Sequence, residues 1–271
     1  EDCAPPARIA AARRRCRGRR ASPRLTMCGR YELHSHPATI ALAFGLAHPP
    51  EVHPHYNIAP MTDVPIVRAG TEGKRELVRM RWGLVPRWAK DASIGNRMIN
   101  ARGETIADKP SFTMGYRRHR CLLPADGFYE WAAAATAGHP RKQPLHIGMR
   151  DGALFAMGGL YERWLSPEGD VLDTCTVITT PANSLLEAVH DRMPMIVAPE
   201  HYDRWLDPAT ADVADLIAPY PSEAMAYYPI SSRVNNVRHD DALLIERTEP
   251  MAPDAEPEHE PPRPPEQEEL F

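Results

Sequence analysis

The pair Met27-Cys28 sets up the most reactive groups this chain can offer. With Met27 as initiator and removed, Cys28 carries a free α-amine beside a free thiol. That 1,2-aminothiol condenses with an aldehyde twice. The amine forms a Schiff base, and the thiol then closes a five-membered thiazolidine ring. An α-amine has an ordinary pKa of about 8 and a thiol about 8.5, so both nucleophiles are partly available near neutral pH. An internal cysteine lacks the amine. The tetrapeptide Met27-Cys28-Gly29-Arg30 alone reads more simply as a strand with a buried thiol, where free cysteines commonly sit.

Other side chains carry suitable chemistry. Glu130 lies between Tyr129 and Trp131, where apolar neighbours would raise its pKa toward general acid–base work. Its plain alternative is a surface carboxylate. His190, before Asp191-Arg192, is an imidazole able to exchange protons near neutral pH, or an ordinary structural histidine. Asn100 offers an amide, or caps a local turn. Arg30 and Arg102 suit bidentate phosphate contacts, against a bland role in surface ion pairs. Trp88, and less so Trp82, suits stacking on a base, which contributes roughly 1–3 kcal/mol. Trp82 is expected to pack inside and Trp88 to face outward.

The elements that must position these groups are short. Val64-Pro65-Ile66-Val67, Leu145-His146-Ile147, Ala153-Leu154-Phe155-Ala156-Met157 and Thr176-Val177-Ile178-Thr179 read as strands. Helical periodicity is expected over Pro37 to Leu46, over Leu185 to Val189 with Asn183 as N-cap, and from Pro199 through Trp205 to Ile217. Gly158-Gly159 and Pro167-Glu168-Gly169 are turn signals. The pattern predicts an α+β fold: one compact domain with a curved, mainly antiparallel, β-barrel-like core and a few flanking helices.

The net charge of −4 over 271 residues hides an uneven distribution. Residues 1–26 carry +6 from eight arginines against Glu1 and Asp2, and lack the apolar run of an export signal. They read as a non-native extension or a propeptide before a domain at 27–249, with a basic nucleic-acid arm as the alternative. From about Pro250 proline and glutamate dominate, which predicts a solvated, disordered tail over 250–271. No apolar run is long enough to span a bilayer. Cys28, Cys121 and Cys175 are scattered, and no Cys/His spacing suggests zinc, so no metal or other cofactor is expected. His53 and His55 have no third ligand at useful spacing. The chain reads as a reduced, cytoplasmic protein.

Six segments in order carry the reading further: Met27-Cys28-Gly29-Arg30-Tyr31, Tyr56-Asn57-Ile58-Ala59-Pro60, Arg81-Trp82-Gly83-Leu84-Val85-Pro86, Asn100-Ala101-Arg102-Gly103-Glu104-Thr105, the run from Arg120 through Asp126-Gly127-Phe128-Tyr129-Glu130-Trp131, and His190-Asp191-Arg192-Met193-Pro194. Together they resemble the SOS response-associated peptidase family, also described as abasic-site processing proteins, from Met27 to about Ile245. The resemblance implies suicidal capture of abasic sites in single-stranded DNA, in which the N-terminal cysteine traps the ring-opened sugar aldehyde as a thiazolidine crosslink. It implies that Glu130 assists ring opening and Schiff-base formation. It also implies that His190 donates a proton to the sugar oxygen or serves strand scission, and that Asn100 orients the imine or sugar hydroxyl. Pro60 and Thr179 are expected near the pocket.

The last residues, Gln267-Glu268-Glu269-Leu270-Phe271, resemble the bacterial sliding-clamp-binding peptide, with Gln267, Leu270 and Phe271 as anchors and Glu268 where leucine is commonly preferred. A flexible tether would let the domain search nearby DNA at damage or replication sites. The expected partners are single-stranded DNA and the clamp, with the protein as a monomer. Two other readings remain open at this level. One is a thiol autopeptidase that releases Cys28. The other is a non-catalytic single-stranded DNA-binding module indifferent to the lesion.

Overall fold

The computed structural model describes residues 29–70, 73–132 and 142–250. Cys28, the basic extension and the clamp-like residues Gln267, Leu270 and Phe271 lie outside the described residues.

Three-residue strand β1 (Tyr31–Leu33) leads into helix α1 (Pro37–Phe44), which starts with proline at its first turn and is capped by the His36 side chain. Strands β2 (His55–Ile58), β3 (Asp63–Ala69) and β4 (Arg75–Trp82) follow, with β3 and β4 paired antiparallel in full register from Asp63↔Arg81 to Ala69↔Arg75. Beyond a long connection come β5 (Asn100–Arg102), α2 (Thr113–Arg118), β6 (Arg120–Ala125), β7 (Gly127–Ala132) and β8 (Gln143–Met149). The two longest strands, β9 (Phe155–Leu165) and β10 (Val171–Pro181), form a hairpin, followed by β11 (Arg192–Pro194), β12 (Ile196–Val197), α3 (Tyr202–Leu206) and β13 (Met225–Pro229).

Five of these strands close on themselves: β10 pairs β4, β4 pairs β3, β3 pairs β6, β6 pairs β9, and β9 returns to β10. The β10–β4 seam is parallel and the others antiparallel, so the barrel is mixed. Closure removes the open edges, and apolar side chains are buried on both faces of the barrel wall, Val64, Ile66 and Val177 on one and Leu122 and Leu160 on the other. A second, five-stranded sheet runs β13-β8-β7-β1-β2. Its strand β7 alternates: Phe128 joins the main core, while Tyr129 anchors a small second cluster with Ile230, Val234 and Leu244. The architecture is the expected α+β domain with a barrel-like core.

Two helical expectations need correction. Residues 184–189 form turns. The Asn183 side chain does accept from Leu186 N (3.1 Å), but its amide is drawn to Tyr220 O (2.8 Å), and the segment is too short to propagate a helix. The segment from Pro199 breaks after α3 at Asp207-Pro208, because proline cannot donate to the preceding turn. No helix among the described residues is long and apolar enough to cross a membrane.

Candidate active site

Strand β10 organises one half of the site. On one side β5 lies parallel to it, with Asn100 opposite Val177, Ala101 opposite Ile178 and Arg102 opposite Thr179. Period-two alternation turns Ala101 into the core and sets Asn100 and Arg102 together on the other face. Arg102 is exposed and its guanidinium has no hydrogen bond or ion pair among the described residues, though its charge acts on Glu104; Asn100 is half-buried and engaged. Across β10, β11 pairs antiparallel with Pro181 opposite Arg192. Thr179 is fully buried between these strands.

Arg192 joins the two flanks. Its guanidinium grips both carboxylate oxygens of Glu104, with Nη2 at 2.8 Å from Oε2, and Nη2 also donates to Thr179 O at 2.6 Å. The Arg192 hydrogen bonds hold the Glu104 carboxyl below the usual carboxylate range. His190 precedes this strand. Its Nδ1 lies 2.8 Å from the Asp191 carboxylate and 3.1 Å from the Arg192 N–H. With Nδ1–H donating to the Asp191 carboxylate, Nε2 is the nitrogen able to give or take a proton; with Nδ1 accepting from the Arg192 N–H, Nε2 keeps its hydrogen and can only donate.

Strands β1 and β7 supply the other half. Their register sets Tyr31 opposite Phe128, and Tyr129 N donates to Arg30 O at 3.0 Å, which carries the pairing toward Gly29 and Glu130. Glu130 is 6% exposed, so it is a buried carboxylate and not a surface one. Arg30 is half-buried. Its Nη1 donates to Asn57 Oδ1 at 2.7 Å and Val234 O at 2.9 Å, the guanidinium lies 5.9 Å from the Trp131 ring centroid, and burial lowers its pKa. The Asn57 amide in turn donates to the carbonyls of Asn236 and His239. Arg30 is thus the hub of a tie between the start and the end of the domain, whereas Arg102 is an uncommitted cation.

The halves meet through Trp82. Its ring packs edge-on against Tyr31 at 5.5 Å, and its indole N–H donates to Ile99 O at 2.8 Å, next to Asn100. Beyond Trp82, Gly83 takes φ 138°, where a Cβ would lie 2.8 Å from Met61 Sδ and 2.9 Å from Gly95 O. Met61 itself has φ 69°, a left-handed conformation uncommon for a residue with a side chain, and its N–H donates to Trp82 O. Pro60 is therefore held, half-exposed, beside the Trp82-Gly83 bend. Trp88 follows in the same segment and is 56% exposed, against 1% for Trp82, as expected for the pair.

Sequence reasoning did not single out Arg192 and Glu104, although each sits in a quoted segment. Ion pairing between two segments leaves no mark in either one alone. Among the described residues no cluster of three or more His, Cys, Asp or Glu side chains is placed to hold a metal ion.

A family model described as SOS response associated peptidase (SRAP) matches residues 27–237. Over 227 residues the chain is 42% identical to the Abasic site processing protein YoqW of Bacillus subtilis (strain 168), covering 81% of this chain and 99% of that protein. It is 31% identical over 216 residues to the Abasic site processing protein HMCES of Xenopus tropicalis, covering 69% of this chain and 64% of that one. Among solved structures, a protein from Bacteroides thetaiotaomicron superposes with a TM-score of 0.72 at 27% identity, over 82% of this chain and 100% of that one.

Proposed function

The chain belongs to the SOS response associated peptidase family, and from that premise we propose that it captures abasic sites in single-stranded DNA through Cys28. The observation that carries the reading is the 42% identity to a protein named for abasic-site processing, over 99% of that relative's length. The buried Glu130, reached by the strand that leads from position 28, and the free ring nitrogen of His190 support it.

In this reading an abasic deoxyribose opens to its aldehyde with a proton from His190 Nε2 to the ring oxygen. The α-amine of Cys28 adds to C1′ and water leaves, giving the imine, with Glu130 taking and returning the protons. The Cys28 sulfur then adds to the imine carbon, the nitrogen gains a proton, and the thiazolidine links protein to DNA. Asn100 orients the sugar, Arg102 holds a phosphate, Trp88 stacks on an adjacent base and Pro60 lines the approach, while Thr179, fully buried, acts only behind the site by holding the Arg192 guanidinium. Arg30 contributes chiefly by fixing the strand that presents Cys28. The same imine permits strand scission as a side activity.

The family's description as a peptidase favours one further step, self-release of residues 1–27. Cys28 sulfur, deprotonated by His190 or Glu130, attacks the Met27 carbonyl, and the Met27–Cys28 C–N bond breaks as the same group returns the proton to the Cys28 nitrogen. Water then hydrolyses the resulting thioester to free residues 1–27. Intact mass of the full chain tests this: loss of 1–27 is expected in the unaltered protein and not in Glu130→Ala or His190→Ala. The tail peptide ending in Leu270-Phe271 is proposed to bind a sliding clamp. Deleting those two residues should abolish the calorimetric signal with the clamp, and an unchanged isotherm ends the idea.

The deciding experiment uses protein beginning at Met27 and a single-stranded oligonucleotide with one abasic site, on a denaturing gel. A heat-stable shifted band is expected, absent with Cys28→Ala and with an extra residue before Cys28. Absence of the band from every form, with ordinary reversible binding retained, would leave a DNA-binding module and withdraw the covalent mechanism.

A further inference from the structure

Trp88 presents a contradiction that its neighbours resolve. A tryptophan 56% exposed, with no aromatic partner among the described residues, ought to sit on a mobile turn, yet both residues beside it are fastened to buried groups. The turn Pro86–Ala89 is closed by Ala89 N donating to Pro86 O at 2.8 Å. On one side of Trp88, Arg87 Nη2 donates to Glu162 Oε1 at 2.8 Å; on the other, Ala89 O accepts from the Trp164 indole N–H at 2.7 Å. Glu162 and Trp164 are 4% and 6% exposed and stand two residues apart on β9, hence on the same face. Below the turn, Val85 N donates to Thr174 Oγ1 at 2.9 Å, and that hydroxyl donates to Glu162 O at 3.2 Å. Glu162 Oε1 also accepts from Arg163 N at 3.2 Å and lies 3.7 Å from His119 Nδ1, so the buried carboxylate that holds Arg87 is itself fixed to β9 and the end of α2. Such a buried charge contributes little to stability alone. It makes sense as a fastening.

We propose that Glu162 and Trp164 are positioning residues that hold the Trp88 indole ready to stack on a nucleobase of single-stranded DNA; this rests on the reading of Trp88 as a base platform given above. The chemistry is preorganisation. An indole on a loose turn must surrender its freedom when a base arrives, and a pinned one has already done so. The two pins are buried and bond the residues on either side of Trp88, so they act through it and not on the DNA.

The test measures reversible binding of the full chain to an undamaged, fluorescently labelled single-stranded oligonucleotide at fixed salt, which needs no free Cys28. Variants are Trp88→Ala, Trp164→Phe (which keeps a ring and removes the N–H), Glu162→Gln (which keeps a hydrogen-bonding group and removes the charge), and each of the last two combined with Trp88→Ala. Trp88→Ala should weaken binding about tenfold. Trp164→Phe and Glu162→Gln should each weaken it about threefold alone and have no further effect in the Trp88→Ala background. The inference is overturned if both pin variants bind like the unaltered protein, or if they weaken binding equally in both backgrounds, as general loosening of the fold would. If Trp88→Ala itself binds normally, the base-platform reading falls and takes the pins with it, while crosslinking by Cys28 is judged separately on the gel. Should Trp164→Phe fail to fold, Glu162→Gln carries the same comparison.

Discussion

Arg30 and Arg102 sit in similar short motifs, each beside a residue of catalytic promise, and their types alone predict the same phosphate contact. Partners separate them. Arg102 is exposed and unpaired among the described residues, so Arg102→Ala should leave the melting temperature unchanged while weakening DNA binding. It should also reduce the slope of log affinity against log salt by about 0.7, the value for one phosphate on a single strand. A slope equal to that of the unaltered protein would exclude a phosphate contact. Arg30→Ala should do the converse. It strips Asn57 Oδ1 and Val234 O of a donor in a half-buried place, for a loss of about 1–3 kcal/mol in denaturant unfolding. What was legible from residue type and order is placement: Glu130, between aromatic neighbours, is buried, and Trp88 is exposed while Trp82 packs inside. What was not legible is that Arg30 Nη1 is held inside the domain, because Asn57 and Val234 are 27 and 204 residues away from Arg30 in the chain.

At the level of elements, β1, β7 and β8 are sewn together behind the site by charge. Glu32, 1% exposed on β1, accepts from His146 Nε2 on β8 at 2.7 Å and from the Tyr129 hydroxyl on β7 at 3.1 Å, with His34 Nε2 at 3.7 Å. Burial pushes the Glu32 pKa up, but the His146 and His34 hydrogen bonds and charges outweigh it, and the carboxyl ends below its ordinary value. Gly127 lies where the three strands converge: a Cβ there would stand 2.3 Å from His146 Nε2 and 2.8 Å from Glu32 Oε1. Gly127→Ala should therefore cost about 1–3 kcal/mol and shift the β7 register that aims Glu130; unchanged stability and unchanged crosslinking would show that the strands absorb the methyl. Strands such as β3 and β10 were readable as apolar runs because they line a closed barrel. The turns at 184–189 were not, because their backbone follows Asn183's distant bond to Tyr220 and not local periodicity.

For the molecule as a whole, the same buried network gives stability a pH signature. The Glu32 carboxyl is depressed on folding, so its contribution is present above the unfolded carboxylate value of about 4.3 and is lost as pH falls through the folded one. The His34 imidazole is raised, principally by its hydrogen bond to Glu32, so its contribution is complete below about 6.5 and is lost as pH rises through the folded value. The melting temperature should then peak on the mildly acid side of neutrality. Glu32→Gln should flatten both limbs, and a profile unaffected by that change would assign the signature elsewhere. The domain's wholeness rests on one more contact. Arg30 and Asn57, near the start of the domain, hold the carbonyls of Val234, Asn236 and His239, near its finish. On the ribosome those carbonyls are among the last parts of the domain to emerge. The segment entering β1 therefore lacks this anchor until synthesis of the domain is almost complete, and a fragment that stops before Val234 leaves Arg30 and Asn57 without those acceptors. Translation itself fastens the first strand last.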